Sequence, residues 1–139
     1  MSEPLTEELL EELLSSPDPD SFLQSHELPE QSLSTYLQEL LTQKGLDQAS
    51  VVRMADLTPT YGYQIFMGQR NPTRDKVLQI AFAMALTLRE TNRALEAAGV
   101  SSLYPKARRD AIIIFCLDRG TSLQRVNEEL FRFGEKTIC

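Results

Sequence analysis

From position 33 onward, apolar residues recur at the period of an α-helix in short runs separated by turn-forming residues. Leu33, Tyr36, Leu37, Leu40 and Leu41 stand at i, i+3, i+4, i+7 and i+8, and Gly45 follows where a C-terminal cap belongs. Asp47 is suited to cap a second helix reaching about Ala55, with Ala49, Val52 and Met54 among its apolar positions. Asp56-Leu57 makes a turn, and Thr58-Pro59 pairs an N-cap with a first-position proline, opening a third helix that ends at Gly68. Thr73 starts a fourth, with Val77, Leu78, Ile80, Ala81 and Met84 apolar. Thr87-Leu88-Arg89-Glu90 is a capping box for a fifth helix ending near Gly99.

Beyond Tyr104-Pro105 the pattern predicts a sixth helix from Ala107 to about Arg119, apolar from Ala111 through Leu117 and therefore expected to be buried on most sides. Gly120 ends it. Thr121-Ser122-Leu123-Gln124 is read as a second capping box, leading a seventh helix with Leu123, Val126, Leu130 and Phe133 on one face. Ile112-Ile113-Ile114-Phe115 is the one stretch with strand-like propensity.

The first 32 residues differ in kind. Leucines at 5, 9, 10, 13 and 14 alternate with acids at helical spacing, and Ser15-Ser16-Pro17-Asp18-Pro19-Asp20 then breaks any helix. The expectation is an acidic extension with a short amphipathic helix, a candidate site for a protein partner. The formal charge of the chain is -6, and this extension explains it: it holds nine acids and no Lys or Arg, leaving 14 basic against 11 acidic residues in the remainder. The predicted helical body is thus mildly basic, which is compatible with nucleic acid. The same segregation leaves two expectations for the extension: a solubilising or partner-binding tail, or a segment that folds back and competes with phosphate for the basic surface.

At 139 residues, 42% of them hydrophobic, the chain is long enough for one domain with a real core plus extensions. The apolar runs Ala81 to Leu86 and Ala111 to Leu117 fall far short of the roughly 18 residues that span a membrane, and the acidic start lacks a secretory pattern, so no membrane association and a cytoplasmic location are expected. Neither cysteine has a Cys or His neighbour at metal-ligand spacing; Cys116 reads as a small buried hydrophobe and Cys139 as a free thiol on a frayed tail. His26, the one histidine, lies in the acidic extension. No metal, cofactor or enzyme active site is implied.

Two short helices joined by a tight turn fit helix-turn-helix geometry. Gly68-Gln69-Arg70-Asn71-Pro72, followed by Leu78-Gln79-Ile80-Ala81, is the more specific signal. With the Lys44-Gly45-Leu46-Asp47-Gln48 lead-in, these residues make positions 33–98 resemble the lambda-repressor-like (XRE/Cro-type) family. That resemblance implies an all-α fold: a five-helix domain over 33–98, followed by a C-terminal helical pair over 99–139 with a dimerisation or regulatory role. It implies a transcription regulator, commonly dimeric, with its recognition helix at about Thr58-Met67 in the major groove of double-stranded DNA.

The resemblance assigns base contact to Gln48, Thr60, Tyr61 and Gln64, with Gln48 at the start of the second helix facing phosphate or an adjacent base. Gln64 is foremost, because an amide can pair with adenine N6 and N7; Thr60 suits a thymine methyl, and Tyr61 or Tyr63 offers a hydroxyl or a ring. Phosphate contact falls to Lys44, Thr58, Arg70, Asn71 and Arg74. Plainer roles stand beside these: Thr58 as a simple N-cap, Gln48 as a surface amide, Arg70 and Arg74 paired with Asp75, and at least two of Tyr61, Tyr63 and Phe66 in the core. The chain departs from the family at Gly62, where an isoleucine is usual; the expectation is a packing gap that the neighbouring tyrosines fill. No Lys or Arg occurs between Met54 and Gln69. A second functional class therefore stays open, a protein-interaction module on the same scaffold with weak or no DNA binding.

Overall fold

The structure, a computed structural model, describes residues 31–139 and Leu14. The expectations for the acidic extension otherwise lie outside the described residues. Seven helices and no strand occur among the described residues: α1 Leu33–Lys44, α2 Gln48–Met54, α3 Pro59–Phe66, α4 Arg74–Ala83, α5 Leu88–Ala97, α6 Arg108–Asp118 and α7 Leu123–Arg132.

Five of the seven helices begin on a side-chain cap; Thr73 before α4 and Ala107 before α6 make no such bond. Ser32 Oγ accepts the Thr35 amide at the start of α1, and Gly45, at φ 63°, donates its N–H to Leu41 and Thr42 carbonyls at the end. At α5 the capping box forms in full: Thr87 Oγ1 accepts from Glu90 N at 3.1 Å, and Glu90 Oε1 accepts from Thr87 N at 2.9 Å. The box expected at 121–124 does not form. Helix α7 starts one residue later, with Ser122 as its cap and Arg125 at the position a reciprocal Glu or Gln would need. Thr121 turns its hydroxyl to the Cys116 carbonyl instead.

Helix α1 packs on α3 and α5, α2 on α3 and α4, and α4 on α5. The C-terminal pair joins the same body, since α6 packs on α5 and α7, and α7 on α4. One apolar core runs from Leu33 to Ile138, so position 99 marks a change of sequence pattern within residues 31–139 and not a break in packing. The Ile112-Phe115 run is helical within α6. Its burial is one-sided: Ile113, Cys116 and Leu117 are buried, Ile112 and Ile114 partly so, and Phe115 is 57% exposed. The expectation of burial on most sides fails because the helix packs chiefly on α5 and α7 and leaves its Phe115 side uncovered.

The chain end is tied down and not frayed. Ile138 is buried, its N–H donates to Asn127 Oδ1 at 2.7 Å, and Asn127 Nδ2 donates to Cys139 Sγ. Cys116 is buried, which pushes its thiol above the usual range and keeps it protonated. Among the described residues no helix is long and apolar enough to cross a membrane.

Candidate nucleic-acid interface

The α2–turn–α3 unit is built from its caps inward. Asp47 accepts from both the amide and the hydroxyl of Ser50, which together hold its carboxyl below the usual range. Thr58 accepts the Tyr61 amide at 3.3 Å, and Pro59 occupies the first helical turn, where its missing N–H costs nothing. Between the helices Asp56 takes the left-handed conformation, φ 59°. Gln79, fully buried on α4, donates from Nε2 to the Ala55 carbonyl at 2.8 Å and so pins the turn from behind. Its Oε1 has no partner, a buried acceptor left unsatisfied beside that bond.

Helix α3 has two unlike faces. Ile65 and Phe66 are buried, and Gly62 lies against Val52 so closely that no side chain fits there. The gap expected at Gly62 is therefore filled by α2, not by the tyrosines. The outward stripe runs through Thr60, Tyr63, Gln64 and Met67, at i, i+3, i+4 and i+7. Tyr63 is 51% and Met67 49% exposed, and Gln64 is half-buried. Tyr61, assigned to base contact from sequence, packs partly against the core, and Arg70 lies over its ring at 5.4 Å. The tyrosine on the stripe is Tyr63.

The residues expected at phosphate divide. Thr58 and Arg70 are exposed on this side of the molecule. Lys44 is ion-paired with Glu90 at 3.1 Å. Asn71 donates to the Ala98 carbonyl at 3.0 Å, clamping its loop to the end of α5. Arg74 is turned inward: Nη1 and Nη2 grip both oxygens of Asp110 at 3.0 and 2.8 Å, while Nε and Nη2 donate to the Ser101 and Ser102 carbonyls. With four of its five donors engaged and its charge paired, this guanidinium fastens α4 to α6 and is committed to the fold rather than to a phosphate. Its neighbour Asp75 pairs with Arg109 at 3.1 Å, so the two ion pairs cross between the first turns of α4 and α6.

Sequence reasoning passed over Arg53. It sits exposed in the last turn of α2, on the rim of a groove of about 610 Å³ between α2 and α3 whose walls include Val52, Leu57, Pro59 and Tyr63. Its position three residues after Ser50 on the outer side of α2 is the signal that marks it. Thr60, Tyr63, Gln64 and Gln48 thus offer hydroxyl and amide groups, and Arg53 and Arg70 offer charge. No family model, no curated protein and no solved structure matches this chain.

Proposed function

We propose that the protein is a DNA-binding transcription regulator of helix-turn-helix type, with α3 entering the major groove. The observation that carries this reading is the two-faced helix α3: Thr60 and Tyr63 are exposed and Gln64 half-buried on one side, while Gly62, Ile65 and Phe66 lock the opposite side to α2 and the core. Gln64 and Thr60 meet base edges, Tyr63 replaces Tyr61 beside them, and Arg53, Arg70 and Thr58 meet phosphate.

A homodimer belongs to this reading, because one short helix discriminates too few base pairs. The outer face of α6, where Phe115 is exposed beside Leu88 and Ile114, supports pairing between copies. The reading places the protein in the cytoplasm with its DNA, without cofactor or catalytic role. It is tested by titrating the full chain into fragmented genomic DNA at two salt concentrations. Binding that weakens as salt rises supports it.

A second reading, a protein-interaction module, is favoured by one observation. Tyr63 and Met67, 51 and 49% exposed, put large apolar side chains on the outward stripe of α3, and Met54 on α2 is 62% exposed. A stable complex with a second protein, without DNA affinity, selects that reading.

A further inference from the structure

Gln38 lies on α1, outside the helix-turn-helix unit, yet its single amide nitrogen makes two bonds into that unit. Nε2 donates to Gln48 Oε1 at 3.0 Å and to the Phe66 carbonyl at 3.1 Å. The second bond completes the end of the recognition helix. Of the last four α3 carbonyls, Tyr63 receives the Met67 amide, Gln64 those of Gln69 and Arg70, and Ile65 that of Gly68; Phe66 receives only Gln38. Without Gln38 the end of α3 has an orphan acceptor.

The first bond fixes which way the Gln48 amide faces. An amide presents an acceptor on one side and two donors on the other. Because Gln38 Nε2 is a donor, Gln48 must turn its oxygen toward α1, and its own NH2, at the start of α2, makes no hydrogen bond among the described residues. We infer that Gln38 is the positioning residue of the interface, holding Gln48 as a donor toward a phosphate oxygen while capping α3. This rests on the DNA-binding reading and deepens it. Of the two roles expected for Gln48 it also favours phosphate over an adjacent base: with its oxygen engaged, Gln48 lacks the paired donor and acceptor that an adenine edge requires.

The test uses the full chain with Gln38→Ala, Gln38→Met, Gln48→Ala and the double variant Gln38→Ala/Gln48→Ala. Affinity is measured across a salt series on DNA selected by the unaltered chain, with the thermal midpoint recorded for each variant. Gln38→Met keeps the side-chain stem packed and guards against simple misfolding. Each single variant is expected to weaken binding about fivefold to tenfold, the scale of one lost hydrogen bond. Because neither glutamine carries charge, the salt slope should stay unchanged in all of these variants, and the double variant should be no weaker than the weaker single. Losses that multiply, or Gln38 variants that melt earlier yet bind with unchanged affinity, overturn the proposal.

A DNA-free arm separates this outcome from failure of the underlying reading. In the NMR spectrum of the unaltered chain, the Gln38 side-chain NH2 should exchange slowly, and the Gln48 NH2 should exchange fast and shift in Gln38→Ala. If that signature is absent while DNA is bound, the proposal alone falls. If it is present and the unaltered chain binds no DNA, the regulator reading falls and takes the positioning role with it.

Discussion

A β-carbon placed on Gly62 of α3 would stand 3.0 Å from Val52 Cβ on α2 and closer still to both Val52 methyls. The two helices of the turn unit therefore meet backbone to side chain, with no room for another atom. Alanine gains about 1 kcal/mol of helix propensity over glycine, while overpacking costs about 1–3 kcal/mol. We predict that Gly62→Ala is a net destabilisation of about 1 kcal/mol, against the propensity expectation. Val52→Ala added to it should recover part of the loss, and denaturant melts of the single and double variants measure that coupling.

Asp56 occupies the turn with φ 59°, a conformation that costs non-glycine residues about 1 kcal/mol, somewhat less for Asp. Asp56→Gly should therefore raise stability by several tenths of a kcal/mol to about 1 kcal/mol. It also removes a carboxylate from the groove between α2 and α3, so DNA affinity should rise with it, most visibly at low salt. Chemical melts and salt-series titrations check the two effects separately.

The Arg74–Asp110 pair is structural, and its loss should register as stability. Asp110→Ala leaves a largely buried guanidinium with two carbonyls and no countercharge, and is predicted to cost about 3 kcal/mol. Burial pushes the Asp110 carboxyl up, but Arg74, the Tyr104 amide and Arg109 outweigh it and hold it below its ordinary 3.8. Glu90 behaves likewise: the Thr87 amide and Lys44 override burial and hold it below 4.5. A carboxylate with a depressed folded value stays charged at pH where the unfolded chain takes up a proton. Its stabilisation is complete above the ordinary range and is lost as pH falls through 4.5 and 3.8 toward the folded values. Thermal midpoints should decline over that interval, and less steeply in Asp110→Asn.

Much of the fold is legible in the sequence because its helices are short and individually capped: Asp47, Thr58-Pro59, Thr87…Glu90 and the left-handed glycines place ends that periodicity alone leaves loose. Polar commitments were not legible. Arg74 and Asn71 have the composition of phosphate ligands, and only the return of residues 98–110 against α4 shows that their donors are already used. Tyr61 and Tyr63 differ by the rotation of two residues about α3, which decides core from surface but leaves no mark on residue type. Gln38 carried no signal at all, since its partners lie 10 and 28 positions away.

The charges expected at phosphate can be sorted by salt dependence. Arg53→Ala and Arg70→Ala should each reduce the slope of log affinity against log salt by about 0.9 per contact removed, or about twice that in a dimer. Arg74→Ala should leave the slope of the folded protein unchanged while lowering its melting point. Affinity titrations from low to moderate salt at a temperature well below the melt provide the comparison.

The most direct test of the account is selection of bound fragments from genomic DNA by the full chain, with sequencing of what is retained. The account predicts an enriched inverted repeat with half-sites about 10 bp apart or a multiple of that, lost in Gln64→Ala. Retention of no sequence above background, with Gln64→Ala indistinguishable from the unaltered chain, would contradict it.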